Sequence, residues 1–219
     1  MNHTMIRRIC SLVFALSLLL FLLTASIGLP IYIRPFYYAH IDAMNLPEMS
    51  GFTKEQIVEA YDEVLDYLTL PGREFGTGAL KYSESGKDHF VDCKVLFDLN
   101  GSVLLGSGIL LAVLLLLKKK LGPYRLGNRS AAFYGALIAL ILPIILGGLA
   151  ALDFDRAFVI FHSIFFPGKT NWLFDYRTDE IIRVLPQDFF MHCAMLIGGG
   201  LLVFSGSILL ADRIRNRKR

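Results

Sequence analysis

Two histidines, His89 and His162, stand where an imidazole could move protons. His89 begins a helical pattern with Phe90, Cys93, Leu96 and Phe97, and Asp88 and Asp92 flank it, so a carboxylate could fix its tautomer. His162 shares an aromatic face with Phe158, Phe161, Phe165 and Phe166 at spacings of three and four, and Trp172, Phe174 and Tyr176 follow. An imidazole titrates near neutrality, and aromatic walls exclude water, so the pair suits general acid–base work on an apolar substrate. The structural alternative is an interfacial aromatic belt with both histidines satisfied inside it.

The other histidines promise less. His3 is terminal, and His40 follows Phe36, Tyr37 and Tyr38, where a surface or headgroup contact is the simpler reading. His192 is expected to hydrogen-bond a neighbouring helix. A zinc site from His89, His162 and His192 is conceivable, but no spacing favours it, and a bis-histidine haem would need histidines deeper in a bilayer. The chain contains no Gly-x-Ser-x-Gly, His-Glu-x-x-His, P-loop or dinucleotide-binding pattern, and the chemistry requires no metal or cofactor. Cys93 and Cys193 could pair in an oxidising compartment, though burial as small apolar residues is the favoured reading.

The elements that must position these residues belong to a membrane. The chain has 219 residues, 54% hydrophobic and only 19% charged, with a mean hydropathy of +0.53. That excludes disorder, and three cysteines exclude a disulfide scaffold. The net charge of +3 gives no reason to expect nucleic acid, because the basic residues form blocks beside apolar runs.

Ile9 to Ile33, Leu99 to Leu117, Ser130 to Leu152 and Phe189 to Ala211 are free of Asp, Glu, Lys and Arg, each over about a bilayer's thickness. The reading is an all-α membrane protein: four transmembrane helices with a small extracellular cap formed by the two outer loops, 34–98 and 153–188. The first run is too long for a signal-peptide core, so it is read as a retained anchor rather than a cleaved leader. The short pieces at the N-terminus, at 118–129 and at 212–219 are almost purely basic, with Asp212 the one acid, whereas both longer segments are acid-rich. By the positive-inside rule both termini and the middle loop are cytoplasmic, which puts His89 and His162 at the outer leaflet. Within the first outer segment, Thr53 and Gln56 make a capping box, with Ile57, Val58, Tyr61, Val64, Leu65 and Leu68 at helical spacing before Pro71-Gly72. A short helix is expected around Ile181, Ile182 and Leu185, and Gly198-Gly199-Gly200 is expected to permit close helix packing.

Tyr67-Leu68, Pro71-Gly72 and the run Asp88-His89-Phe90-Val91-Asp92-Cys93-Lys94 resemble the pattern of a family of small bacterial membrane proteins. Phe161-His162, Phe166, Trp172, Asp175, Asp179-Glu180-Ile181-Ile182, Pro186 and Phe189-Phe190 continue it in order. The family is the lipoprotein intramolecular transacylase, Lit, and the likeness spans nearly the whole chain. Cys93 departs from it, since an aliphatic residue is usual there.

The resemblance implies a multi-pass enzyme of the bacterial cell membrane with His89 and His162 as its catalytic pair. Asp92, Phe166, Trp172 and Asp179 would support the substrate pocket. The implied substrate is the N-terminus of a diacylated lipoprotein, presented in membrane lipid, whose sn-2 acyl chain moves to the free α-amine to give the lyso-form. His162 is taken as the base and His89 as its partner, an assignment the residues themselves leave open. The rival is a non-catalytic four-helix protein whose outer loops bind a lipid or protein partner; a zinc-dependent hydrolase ranks behind it.

Overall fold

The apolar runs form helices because a backbone in hydrocarbon must satisfy its own hydrogen bonds. The computed structural model describes residues 3–217, with the backbone alone at 149–151; Lys218 and Arg219 of the expected basic tail lie outside the described residues. In chain order the elements are α1 (His3–Tyr32), α2 (Arg34–Ala43), α3 (Leu46–Ser50), α4 (Lys54–Thr69) and α5 (Glu84–Leu121). There follow β1 (Arg125–Leu126), β2 (Arg129–Ser130), α6 (Ala131–Leu152), α7 (Phe154–Phe165), α8 (Ile181–Val184) and α9 (Gln187–Arg217). Among the described residues α1, α5, α6 over Ala131–Gly148, and α9 are long and apolar enough to cross a membrane. The chain is a helical membrane protein.

Two compact units emerge. The first comprises residues 1–29, 100–149 and 195–219. Its core is Leu18, Leu22, Leu111, Ala136, Ala139 and Leu201, while Leu12, Leu16, Leu105, Ile145 and Val203 stay more than half exposed, as lipid-facing residues do. Small residues set the helix approaches. A Cβ on Gly135 would stand 2.5 Å from the Ala15 carbonyl oxygen, and one on Gly200 would stand 2.6 Å from Leu29. Gly198 and Gly199 face open space, so only the last glycine of that run brings helices together. Because the obstacle at Gly135 is backbone, Gly135→Ala is expected to force α1 and α6 apart at a cost of about 1–3 kcal/mol, read as a lower Tm in detergent.

In the same unit a two-residue ladder follows α5, with Arg125 opposite Ser130 and Leu126 opposite Arg129. Gly127 turns it at φ +58°. Buried Asp212 accepts from Ser130 Oγ at 2.6 Å and pairs with Arg129 at 3.3 Å, so the one acid among the basic pieces anchors the turn to α9.

The second unit comprises residues 30–99 and 150–194. The capping box forms, with both Thr53 and Gln56 bonding back. Ile57, Tyr61, Val64, Leu65 and Leu68 are buried as the spacing predicts; Ala60 joins them and Val58 is only half-buried. This face packs on Tyr37, Ile41, Leu46, Ile181 and Val184. Tyr37 is fully buried, stacks on Tyr61 at 3.8 Å and donates its hydroxyl to the Val184 carbonyl at 2.7 Å. Burial raises the phenol pKa of Tyr37 well above the ordinary range, so this donor keeps its proton. Arg34 bonds Asp62 at 2.9 Å and also pairs with Asp66, tying α2 to α4. The residues 88–97 are the opening turns of α5, continuous with its apolar stretch.

Candidate active site

The start of α5 is fixed from the loop before α8. Ser83 caps the helix by accepting from the Gly86 N–H at 3.0 Å. Buried Asp179 accepts in turn from the Ser83 N–H at 2.8 Å, the Ser83 hydroxyl at 2.8 Å and the Thr178 hydroxyl at 2.9 Å. Nearby, Lys81 and Glu180 exchange bonds at 2.8 and 2.9 Å. Position 86 must be glycine for this clasp to close: a Cβ there would run into the Asp179 carboxylate and come within 3.1 Å of Phe174.

One turn further on, His89 points into a ring of aromatics. It is 6% exposed, with Phe166 at 5.0 Å and Phe174 at 5.4 Å, both edge-on. Its Nε2 lies 3.4 Å from Cys93 Sγ, and its Nδ1 is buried without a hydrogen-bond partner. Neither flanking aspartate orients the ring, contrary to the tautomer argument from sequence. Asp92 instead pairs with Lys169 and accepts from Asn171 Nδ2 at 2.9 Å, holding the loop that carries Trp172.

His162 arrives from α7, which Asp153 caps through the Arg156 N–H at 2.9 Å. The helix is inverted relative to a soluble one: Phe161, Ile164 and Phe165 are about half exposed or more, whereas His162 is its one buried residue. Apolar groups outward and a histidine inward suit a helix whose surroundings are lipid and whose inner face is reserved for something polar. The His162 Nδ1–H donates to the Phe158 carbonyl at 2.8 Å. That bond sets the tautomer, leaving the Nε2 lone pair free to accept. Trp172 stacks on the ring at 4.5 Å, with Phe158 at 4.3 Å and Phe166 at 5.7 Å. Burial lowers the His162 pKa and outweighs the opposing pull of the Phe158 carbonyl, so the ring stays neutral at physiological pH.

The two imidazoles therefore meet, their centroids 5.8 Å apart, although 73 residues separate them in sequence. Phe166 touches both, Trp172 covers one, and Asp92 and Asp179 act a step away on the loop and on α5. Phe174 and Phe158 complete the enclosure; sequence marks them only as aromatics near a histidine. His192 does not join the pair. Its ring lies 5.0 Å from His40 and its Nδ1 is buried without the hydrogen bond expected of it. His40 is no plain surface residue either, since it packs on Phe36 at 4.5 Å and donates from Nδ1 to the Phe36 carbonyl. Beside these two lies an open groove of about 370 Å³, lined by Met44, Met49, Pro186, Asp188, Met191 and His192 and by neither His89 nor His162. No three His, Cys, Asp or Glu side chains converge as a metal set among the described residues. Cys10, Cys93 and Cys193 are all unpaired.

Four apolar helices define a membrane-integral protein, and it encloses a histidine pair within aromatic walls. The model of the lipoprotein intramolecular transacylase Lit family matches residues 12–190, and the chain belongs to that family. It is similar to the membrane integral Lit from Bacillus cereus, solved in meso, at 28% identity and a TM-score of 0.87 over 98% of both chains. Two further structures of that protein, in which a histidine is replaced by arginine or by alanine, match with TM-scores of 0.80 and 0.79 at 28% and 26% identity. They cover 98% and 99% of this chain and 94% and 97% of theirs. No curated protein matches.

Proposed function

We propose that this chain moves the sn-2 acyl group of a lipoprotein's S-diacylglyceryl-cysteine to the free α-amine of the same cysteine. The product is an N-acyl, S-monoacylglyceryl lipoprotein. The observation that carries this reading is the buried His89–His162 pair, with one lone pair aimed by a backbone bond and one ring nitrogen left without a partner.

In the reaction the amine nitrogen attacks the ester carbonyl, a C–N bond forms and the C–O bond to the glyceryl sn-2 carbon's oxygen breaks. His162 Nε2 takes the proton the amine must lose. The α-ammonium has a pKa near 7.7–8.0, so part of the amine is already free near neutrality, and its nitrogen turns acidic as it attacks, which is when a neutral imidazole can take the proton. His89 Nδ1 finds in the substrate the partner the protein denies it, donating a hydrogen bond to the carbonyl oxygen as charge develops, and the proton held on His162 Nε2 passes to the departing sn-2 oxygen, directly or by way of His89, so that both rings end neutral. The cyclic transition state is a medium ring, which closes poorly unless held, so orientation by the aromatic walls is the larger contribution. The same walls keep water from the ester. The charge pattern supports cytoplasmic termini and a site at the outer leaflet, where mature lipoproteins reside.

The test is mass spectrometry of the N-terminal peptide of a lipoprotein co-expressed with this chain. An acyl group found on nitrogen at unchanged total acyl count supports the reading; an unchanged diacylglyceryl peptide in the presence of folded protein sinks it. A pH dependence follows as well. The His162 pKa lies below the ordinary 6.5, so its base form is complete at neutrality and is lost as pH falls through that lowered value. Single-turnover transfer should hold its rate from pH 7 to about 6.5 with the amine's own ionisation factored out, then fall about tenfold per unit below the lowered pKa. A midpoint above 6.5 would contradict a desolvated base.

A further inference from the structure

Beside His89 Nδ1, a second buried polar atom near the aromatic enclosure has no hydrogen-bond partner among the described residues: the amide oxygen of Asn171. The mechanism uses the first and not the second. Which end of the Asn171 amide is left over is fixed by chemistry, because Nδ2 lies 2.9 Å from an oxygen of the Asp92 carboxylate, which can only accept. Oδ1 is therefore an acceptor without a donor, a costly state inside a protein. Asn171 also stands between the supports of the two histidines. Asp92 lies three residues beyond His89 on the same side of α5, and Trp172, the next residue in the chain, stacks on the His162 ring at 4.5 Å. The loop is held from within by the Lys169 N–H on the Phe166 carbonyl at 3.1 Å and by Trp172 Nε1 on the Lys169 carbonyl at 3.1 Å.

The diacylglyceryl part of the substrate offers only acceptors, its ester oxygens and thioether sulfur. Donors near the reacting ester are confined to the α-amine and the peptide N–H that follows it. Resting on the transacylase reading of the site, we propose that Asn171 binds the α-amine: its Oδ1 accepts from the N–H that the nitrogen keeps, while His162 Nε2 takes the proton that it loses. A free amine has two N–H bonds and one lone pair, so holding both N–H bonds fixes the direction of the lone pair toward the ester carbon. The atoms balance. The C–N bond forms, the proton taken by His162 leaves on the sn-2 oxygen as the C–O bond breaks, and the other hydrogen remains on the product amide, still donating to Asn171.

The experiment pairs a protein variant with a substrate variant, using the full-length protein in detergent. Single-turnover transfer is followed by mass spectrometry on a synthetic S-diacylglyceryl lipopeptide with a free amine and on its N-methyl-cysteine analogue, whose neutral amine has one N–H. Asn171→Leu keeps the side chain's size and branching and removes the acceptor, so any crowding by the methyl group is the same in both proteins. The unaltered protein should prefer the primary amine, and in Asn171→Leu that preference should shrink by at least about fivefold, the coupling of one buried hydrogen bond. Asn171→Val serves if the leucine variant does not fold, which a thermal melt reads. A smaller change in preference overturns the proposal, because a residue that only holds the loop, or that binds the following peptide N–H, slows both substrates by the same factor. Failure of the unaltered protein to transfer to either amine is a different result: it overturns the reaction itself, and the amine site with it.

Discussion

His162→Ala is expected to slow acyl transfer by about 10²–10⁴-fold, the contribution of a positioned general base. The protein should remain folded. The loss comes from the Nε2 lone pair, which the Phe158 bond leaves facing the substrate. Deleting the imidazole also opens space beside Trp172 and Phe158, and that void has its own stability cost. His162→Gln controls for it, since an amide of similar size can still donate to the Phe158 carbonyl but cannot take a proton near neutrality. Both variants should therefore be slow, while only the alanine variant should melt noticeably lower. His89→Ala should be impaired on the same scale, and the double variant little worse than either single one, because groups acting on one transition state do not contribute additively. Single-turnover mass spectrometry reads the rate and a thermal melt in detergent reads the fold. Transfer by His162→Gln within about threefold of the unaltered protein would remove His162 from the chemistry, because even the smallest general-base contribution exceeds that ratio.

Sequence carries what is local and periodic. The capping box at Thr53, the apolar stripe from Ile57 to Leu68 and the four apolar runs are visible because each is encoded within a few turns of one helix. His162 is placed on an aromatic face by the same spacing. The inversion of α7 is harder to see: a soluble helix with Phe161, Ile164 and Phe165 would bury them, and only lipid allows the histidine to be the residue inside. Contacts between distant segments leave no periodic trace. Nothing near Asp92 points to Lys169, and two aspartates beside His89 suggest a carboxylate–imidazole bond, but helical geometry sends the Asp92 side chain to the loop 77 residues on. The same holds for Gly135, which meets a backbone oxygen of α1, whereas the more conspicuous Gly198 and Gly199 meet nothing. Elements α2 and α3 lack a strong stripe, and a two-residue ladder is too short to alternate, so both emerge only from tertiary packing.

Asp179 carries the second large effect, and it acts at a distance from the histidines. Asp179→Ala should destabilise the protein by about 3–5 kcal/mol: three donors lose one buried acceptor, each hydrogen bond to a charged group being worth about 1.5–3 kcal/mol, with part recovered through water. A marginally stable fold holds only about 5–15 kcal/mol in all, so the drop in Tm should be plain. Asp179→Asn keeps one oxygen acceptor for Ser83 and should lose less than half as much. The functional consequence follows from position. Ser83 opens α5, His89 lies six residues along, and a clasp that slips lets the helix fray from its first turn. Transfer should fall with kcat rather than KM, because what is lost is the aim of one imidazole and not the surface that holds the acyl chains. A variant that melts much lower yet keeps its kcat at a temperature where it is folded would show that the clasp supports the fold alone, and that His89 is aimed by Phe166 and Phe174.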